Sequence, residues 1–182
     1  MVDRCYERIL RLRAIRTYRP EPLADEDLVA VLEAARWTGS AKNRQDWAVV
    51  VVTDPAQRAR LAACGNFTEP IRNAPVTLAL VQEPGGYEFD VGRMAQNIML
   101  AADALGIASC PVTLHHDDRA HEVLGLPDGS RCRYAVALGY PAEDAAPARW
   151  GGRKPLVELV HHDRYGVPWP PATTASDGPA RG

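Results

Sequence analysis

Two rhythms of apolar residues alternate along this chain. Cys5, Ile9 and Leu12 stand i, i+4, i+7 apart, with Arg4, Arg8 and Arg11 on another side. That is the period of a short amphipathic helix. "RPEPL" (19–23) ends it, because proline breaks a helix and disfavours helical geometry in the residue before it. Asp25 is placed to cap a second helix, with Glu26 and Asp27 in its first turn and Leu28, Val31, Leu32 and Ala35 as its buried stripe. The rhythm then changes. "AVVVVT" (48–53) is a continuous apolar run and reads as a strand buried on both faces. "DPAQRARLAAC" (54–64) reads as a helix with Pro55 in its first turn, and "PVTLALV" (75–81) as a second buried strand closed by the turn "QEPGG".

The longest helix is expected from about Asp90 to Leu105. Val91, Met94, Ala95, Ile98, Ala102 and Leu105 keep helical spacing, and Gly106 suits its C-terminal cap. Leu100, Ala101 and Ala104 make its second half apolar all round, so that half is expected in a core or an interface. "IASCPVTL" (107–114) follows as a third strand, with Pro111 marking a strand that leaves the sheet and presents free backbone N–H groups. "DDRAHEVLGLPDG" (117–129) is a short helix capped by Asp117 or Asp118 and closed by a turn, and "YAVALGYP" (134–141) is a fourth strand. Strands separated by helices predict an α/β or α+β sheet covered by helices. Residues 1–167 read as the folded domain, and the proline-rich 168–182 as a mobile tail.

Composition narrows the function classes. The chain has 182 residues, 46% hydrophobic and 24% charged, a balance typical of globular domains. A net charge of −2 gives no electrostatic case for nucleic acid or an anionic membrane. Cys5, Cys64, Cys110 and Cys132 form no CxxC pair, which argues against zinc and thioredoxin-like motifs. Reduced, mostly buried thiols and the lack of an apolar run long enough to span a bilayer point to a cytoplasmic protein.

Four polar segments carry the candidate chemistry. In "LRAIRTYRPEP" (12–22), Arg13 and Arg16 are three apart at a helix end, and the guanidinium fork suits phosphate. The same spacing fits a solvated helix face. In "TGSAKNRQDW" (38–47), Ser40, Lys42, Asn43, Arg44 and Gln45 crowd a short connection with hydrogen-bonding groups; Ser40 and Asn43 are turn residues or ligand contacts. His115, His116 and Asp118 invite a metal reading, but no acid-rich partner motif accompanies them. In "WGGRKPLVELVHHDRYG" (150–166), two glycines before Arg153 and Lys154 allow close approach to a bulky anion. Neither a Walker loop nor GxGxxG is present.

Taken in order, "LRAIRTYRPEP", "EAARWTGSAKNRQDWAVVVVTD", "APVTLALV", "DVGRMAQNIMLAADALGIASCPV", "YAVALGYP" and "GRKPLVELVHHDRYG" resemble the nitroreductase family of FMN-dependent oxidoreductases over about residues 5–166. The resemblance implies an α+β fold, an α/β/α sandwich with a mostly antiparallel central sheet, built as an intertwined homodimer with FMN at the subunit interface. The helix at 90–106 would lie in that interface. Arg13, Ala14 and Arg16 match the N-terminal cofactor segment, with Arg13 on phosphate and Arg16 on the ribityl chain or pyrimidine edge. Ser40 and Asn43 match the loop that reaches the partner's flavin. Pro111, Val112, Thr113 and Leu114 match the segment over the ring, and Arg153 with Lys154 the C-terminal phosphate contact. No catalytic side chain is implied, because FMN takes a hydride from NAD(P)H at N5 and passes electrons to an electron-poor acceptor in a ping-pong cycle. Nitro compounds, quinones, enones and free flavin are the acceptors expected. A flavin-sequestering protein without turnover is the alternative. Leu12, Ala14, Gly39 and Asp46 depart from the family's usual arginine, serine and two prolines.

Overall fold

Backbone hydrogen bonds gather four apolar runs into one antiparallel sheet: β1 (Trp47–Val52), β2 (Val76–Gln82), β3 (Ala108–Thr113) and β4 (Arg131–Gly139), in the order β1-β2-β4-β3. The computed structural model describes residues 4–148 and 152–169. They fall into two units, taken separately here, with the sheet in the first. Of the tail expected at 168–182, residues 170–182 lie outside the described residues.

The helices of the first unit are α1 (Arg4–Arg11), α2 (Asp25–Arg36), α3 (Pro55–Ala62), α4 (Glu69–Asn73), α5 (Glu88–Ala104) and α6 (Asp117–Leu124). Alternation along β2 divides the core. Val76, Leu78 and Leu80 pack with Val31 and Ala35 of α2 and Met94, Ile98 and Ala102 of α5. Ala79 and Val81 turn to the other face, with Leu61 and Ala62 of α3, Ile71 of α4 and Ala120 of α6. The result is the α/β/α sandwich expected.

Several local expectations shift. β1 packs on both faces, through Trp47 and Val49 on one side and Ala48 and Val50 on the other, yet only Val52 is buried, because an edge strand lacks a neighbour on one flank. β4 starts at Arg131, three residues before the expected Tyr134, because β2 pairs along its full length. Pro111 does not end β3: it stays in register opposite Val136. Ala24 and His116, rather than Asp25 and Asp117 or Asp118, occupy the cap positions of α2 and α6, and the acids fall in the first turns. There they face the positive end of the helix dipole. The α3 cap behaves as expected, with Asp54 accepting from the Gln57 amide at 2.7 Å. α5 ends in a Schellman motif at Gly106 (φ 73°): Ile107 N–H donates to Ala102 O at 2.8 Å and Gly106 N–H to Asp103 O at 3.3 Å. α1 buries no residue; Tyr6, Ile9 and Leu10 are exposed, as are Ala104 and Leu105 at the end of α5.

In the second unit, α7 (Leu156–Leu159) leads to a bridge between His161 and Pro168. The His161 and Tyr165 rings lie 4.4 Å apart, and those of His162 and Trp169 5.5 Å apart.

Two substitutions test the packing. A Cβ at Gly139 would come within 2.7 Å of Pro75 Cδ and 2.9 Å of Tyr18 Cβ, neither the tip of a flexible side chain. Gly139→Ala is expected to destabilise the fold by about 2 kcal/mol in urea unfolding. Thr77 is fully buried, and its hydroxyl finds no hydrogen-bond partner among the described residues. Thr77→Val is expected to raise stability by about 1 kcal/mol in the same assay, since it removes an unmet polar group at nearly constant volume.

Candidate active site

The site begins with a hydrogen bond at a sheet edge. The Ile15 amide donates to Ser109 O at 2.9 Å, from outside β3. Further along, Arg19 N–H donates to Tyr140 O at 2.9 Å and Ala142 N–H to Thr17 O at 3.3 Å. Tyr18 anchors the same stretch: its hydroxyl donates to Ile15 O at 2.8 Å, and burial pushes its pKa up. Residues 13–19 thus run beside the end of the sheet formed by β3 and β4.

This course brings two of the expected segments together. Arg13 and Arg16 are exposed, and Ala14 packs half-buried on the core. Arg13 Nη1 donates to Leu10 O and Leu12 O, at 2.9 and 2.8 Å, which secures it at the helix end. Arg16 makes no hydrogen bond or ion pair among the described residues. Burial pushes the Cys110 thiol pKa up while the Arg16 guanidinium pulls it down, so Arg16 lies within electrostatic reach of β3. It is a permanent cation with uncommitted donors beside a strand edge.

Along β3 the ladder decides which backbone groups are open. Leu114 N–H donates to Arg133 O at 2.8 Å, so Leu114, Val112 and Cys110 turn their polar groups toward β4, while Ser109, Pro111 and Thr113 turn theirs outward. Ser109 O is taken by Ile15, and Pro111 has no N–H. Of the four residues expected over a flavin ring, Thr113 therefore offers the outward-facing N–H. Val112 and Leu114 are buried.

The polar connection at 40–46 lies at the opposite edge, before β1. Ser40 Oγ accepts from Gln45 N–H at 3.0 Å, and Gln45 Nε2 donates to Asn43 O at 3.2 Å. Lys42, Asn43 and Gln45 all have φ between 54° and 57°. Non-glycine residues in this left-handed region cost energy, and such strain clusters at functional sites. The loop is braced from outside, where Arg93 Nη1 donates to Gly39 O at 2.8 Å and Glu83 N–H to Asp46 O at 3.2 Å, and from within, where Arg44 pairs with Asp46 at 2.8 Å. The Asn43 side-chain amide and the Lys42 ammonium have no partner among the described residues, while the Asn43 backbone N–H donates to Ser40 O at 3.1 Å. Two strands, β2 and β4, separate this edge from β3. That amounts to about 14 Å across the sheet. A single chain therefore holds the two halves of the expected site apart.

One neighbouring segment escaped the sequence reading. Gly65 sits where a Cβ would come within 2.7 Å of Thr113 O, and the next amide, Asn66 N–H, donates to His115 Nδ1 at 3.3 Å. The loop 65–67 thus packs on the exit of β3. "GN" after a helix reads as a mere cap, and its contact far along the chain leaves no local trace. Arg153 and Lys154 are exposed in the second unit, where Arg153 Nη1 donates to Gly152 O at 2.8 Å. Among the described residues, no group of three or more His, Cys, Asp or Glu is arranged to hold a metal ion, and no helix is long and apolar enough to cross a membrane.

Known proteins resemble this chain in sequence and fold. A relative from Thermus thermophilus, an NADH dehydrogenase, is 30% identical over 83% of this chain and 92% of its own. The oxygen-insensitive NADPH nitroreductase of Salmonella typhimurium is 26% identical over 84% of this chain and 71% of its own. Among solved structures, the NADPH:FMN oxidoreductase of Vibrio harveyi complexed with NAD+ superposes with a TM-score of 0.80, 25% identity, and coverage of 90% of this chain and 78% of that one. The model of the nitroreductase family matches residues 9–64 and 67–140, a span that takes in the arginine segment, the strained loop and all four strands; the chain belongs to the nitroreductase family.

Proposed function

We propose that this protein is an NAD(P)H-dependent FMN oxidoreductase that works as a homodimer in the cytoplasm and reduces electron-poor acceptors such as nitro compounds, quinones, enones or free flavin. The relatives named for NADPH nitroreductase and NADPH:FMN oxidoreductase activities support the reaction class. The observation that carries the site is the uncommitted Arg16 beside an edge strand whose open amide is Thr113.

FMN, when bound, supplies the hydride and electron chemistry, so the chain needs no nucleophile or acid–base pair. Its donor set fits a flavin mononucleotide. Arg13 neutralises phosphate; Arg153 and Lys154, exposed cations of the second unit, are of the residue types that suit phosphate. Arg16 stabilises the negative charge that develops on the pyrimidine side, and a cation held there before reaction costs no reorganisation. Ala14 allows close approach of the chain. Thr113 N–H, at the outer edge of β3 with Pro111, Val112 and Leu114 shaping the wall, faces the ring. Ser40 and Asn43 serve the flavin held by the other protomer, which is why they lie across the sheet from Arg16. The exposed apolar residues of α1 and of the α5 end, Tyr6, Ile9, Leu10 and Leu105, are the surface that the second protomer covers.

The visible absorption spectrum of the purified protein under argon tests the function. A bound flavin that bleaches on adding NADPH or NADH and recovers its colour with a quinone is expected. A bound flavin that neither nucleotide bleaches would make this a sequestering protein. Arg16→Ala tests the site: FMN affinity is expected to fall by roughly tenfold or more, the scale of a charge-assisted contact, with slower bleaching. Unchanged flavin content and bleaching rate would remove Arg16 from the flavin.

A further inference from the structure

At the exit of β3, beyond the residues assigned to the flavin, stands an imidazole whose two nitrogens have different fates. His115 Nδ1 accepts from the Asn66 amide at 3.3 Å. The neutral ring therefore carries its proton on Nε2, on the side away from that loop. The ring is also steadied by Phe67, which meets it edge to face with centroids 6.4 Å apart and planes 68° apart. Gly65 seats both on the strand that carries Thr113, since a Cβ there would lie 2.7 Å from Thr113 O and 3.4 Å from His115 Nδ1.

Two further features indicate a ligand. Phe67 is 83% exposed, an unusual surface for a large apolar side chain held in place by an edge-to-face partner. His115 also borders an open cleft of about 470 Å³ shared with His116, Asp117, Asp118, Arg119 and Arg133. The two guanidinium groups and two carboxylates balance, so the cleft suits a dipolar group better than a formal ion.

We propose that His115 holds an oxygen of the electron acceptor through its Nε2–H, with Phe67 as the apolar edge beside the acceptor's ring. The class of acceptor that matches is a planar ring bearing a carbonyl or nitro oxygen. This assignment rests on the FMN reading above and deepens it. His115 takes no proton and makes no bond; it binds and orients.

The test uses the FMN-loaded, full-length protein in its oxidised state without nucleotide, titrated with 1,4-naphthoquinone and followed by perturbation of the flavin absorbance. His115→Phe is expected to raise the quinone Kd by about tenfold, the worth of one hydrogen bond, while naphthalene, which has no oxygen, binds within about twofold of its wild-type value. His115→Gln retains an N–H donor and is expected to recover most of the loss. His115→Leu gives the same comparison in a smaller side chain. In turnover with saturating NADPH the change is expected in KM for the quinone more than in kcat. A quinone Kd within about twofold of wild type in both variants lacking the donor would overturn the proposal, as would an equal loss for naphthalene. A wild-type protein that takes up no FMN fails before any variant is compared, and that outcome overturns the flavin reading instead.

Discussion

One backbone hydrogen bond, from the Ile15 amide to the Ser109 carbonyl, ties the arginine-bearing segment to the outer edge of the sheet. Everything proposed for the site depends on it. Arg16 reaches β3 because the residue before it is tied to β3, and β3 has an open edge because the strand order places it last. A helix end pinned this way gives Arg16 a fixed approach while its guanidinium keeps all its donors for a ligand.

The same strand order has a second effect. The strained loop before β1 and the arginines beside β3 occupy opposite margins of a sheet four strands wide. In the proposed site the β3 margin carries the phosphate and ring contacts, and the β1 margin adds the polar groups of Ser40 and Asn43. In the homodimer proposed above, the β1 margin of one copy would meet the β3 margin of another, and a twofold arrangement would repeat that meeting. The apolar residues left uncovered on α1 and α5 suit that reading of the assembly.

Much of the fold was legible because its core elements are long and strongly patterned. α5 keeps its helical period and ends at the glycine its Schellman motif requires, and β2 is apolar enough to read as a strand under two layers. The strand through Pro111 was not legible. Proline reads as an ending unless its missing N–H faces solvent, and that depends on which neighbour the strand lacks. α4, only Glu69–Asn73, is too short to show a period. Among site residues, Arg13, Arg16, Ser40 and Asn43 stood out as polar groups where the chain did not need them. Leu114 is different: its N–H is spent on Arg133 O, a fact of register invisible in sequence. The contact of Gly65 and Asn66 with Thr113 and His115 was hidden for the same reason, since it joins loops far apart along the chain.

Pro111 bears on more than cofactor contact. An exposed strand edge is a template on which another chain can pair, and beyond the Ile15 contact the outer edge of β3 is open to such pairing. Ile15 blocks the ladder at Ser109, and two residues on, Pro111 has no amide to give. A foreign strand docking there would meet an occupied carbonyl and then an absent donor, leaving Thr113 too isolated to seed a ladder. The proline thus guards the chain against edge-to-edge aggregation.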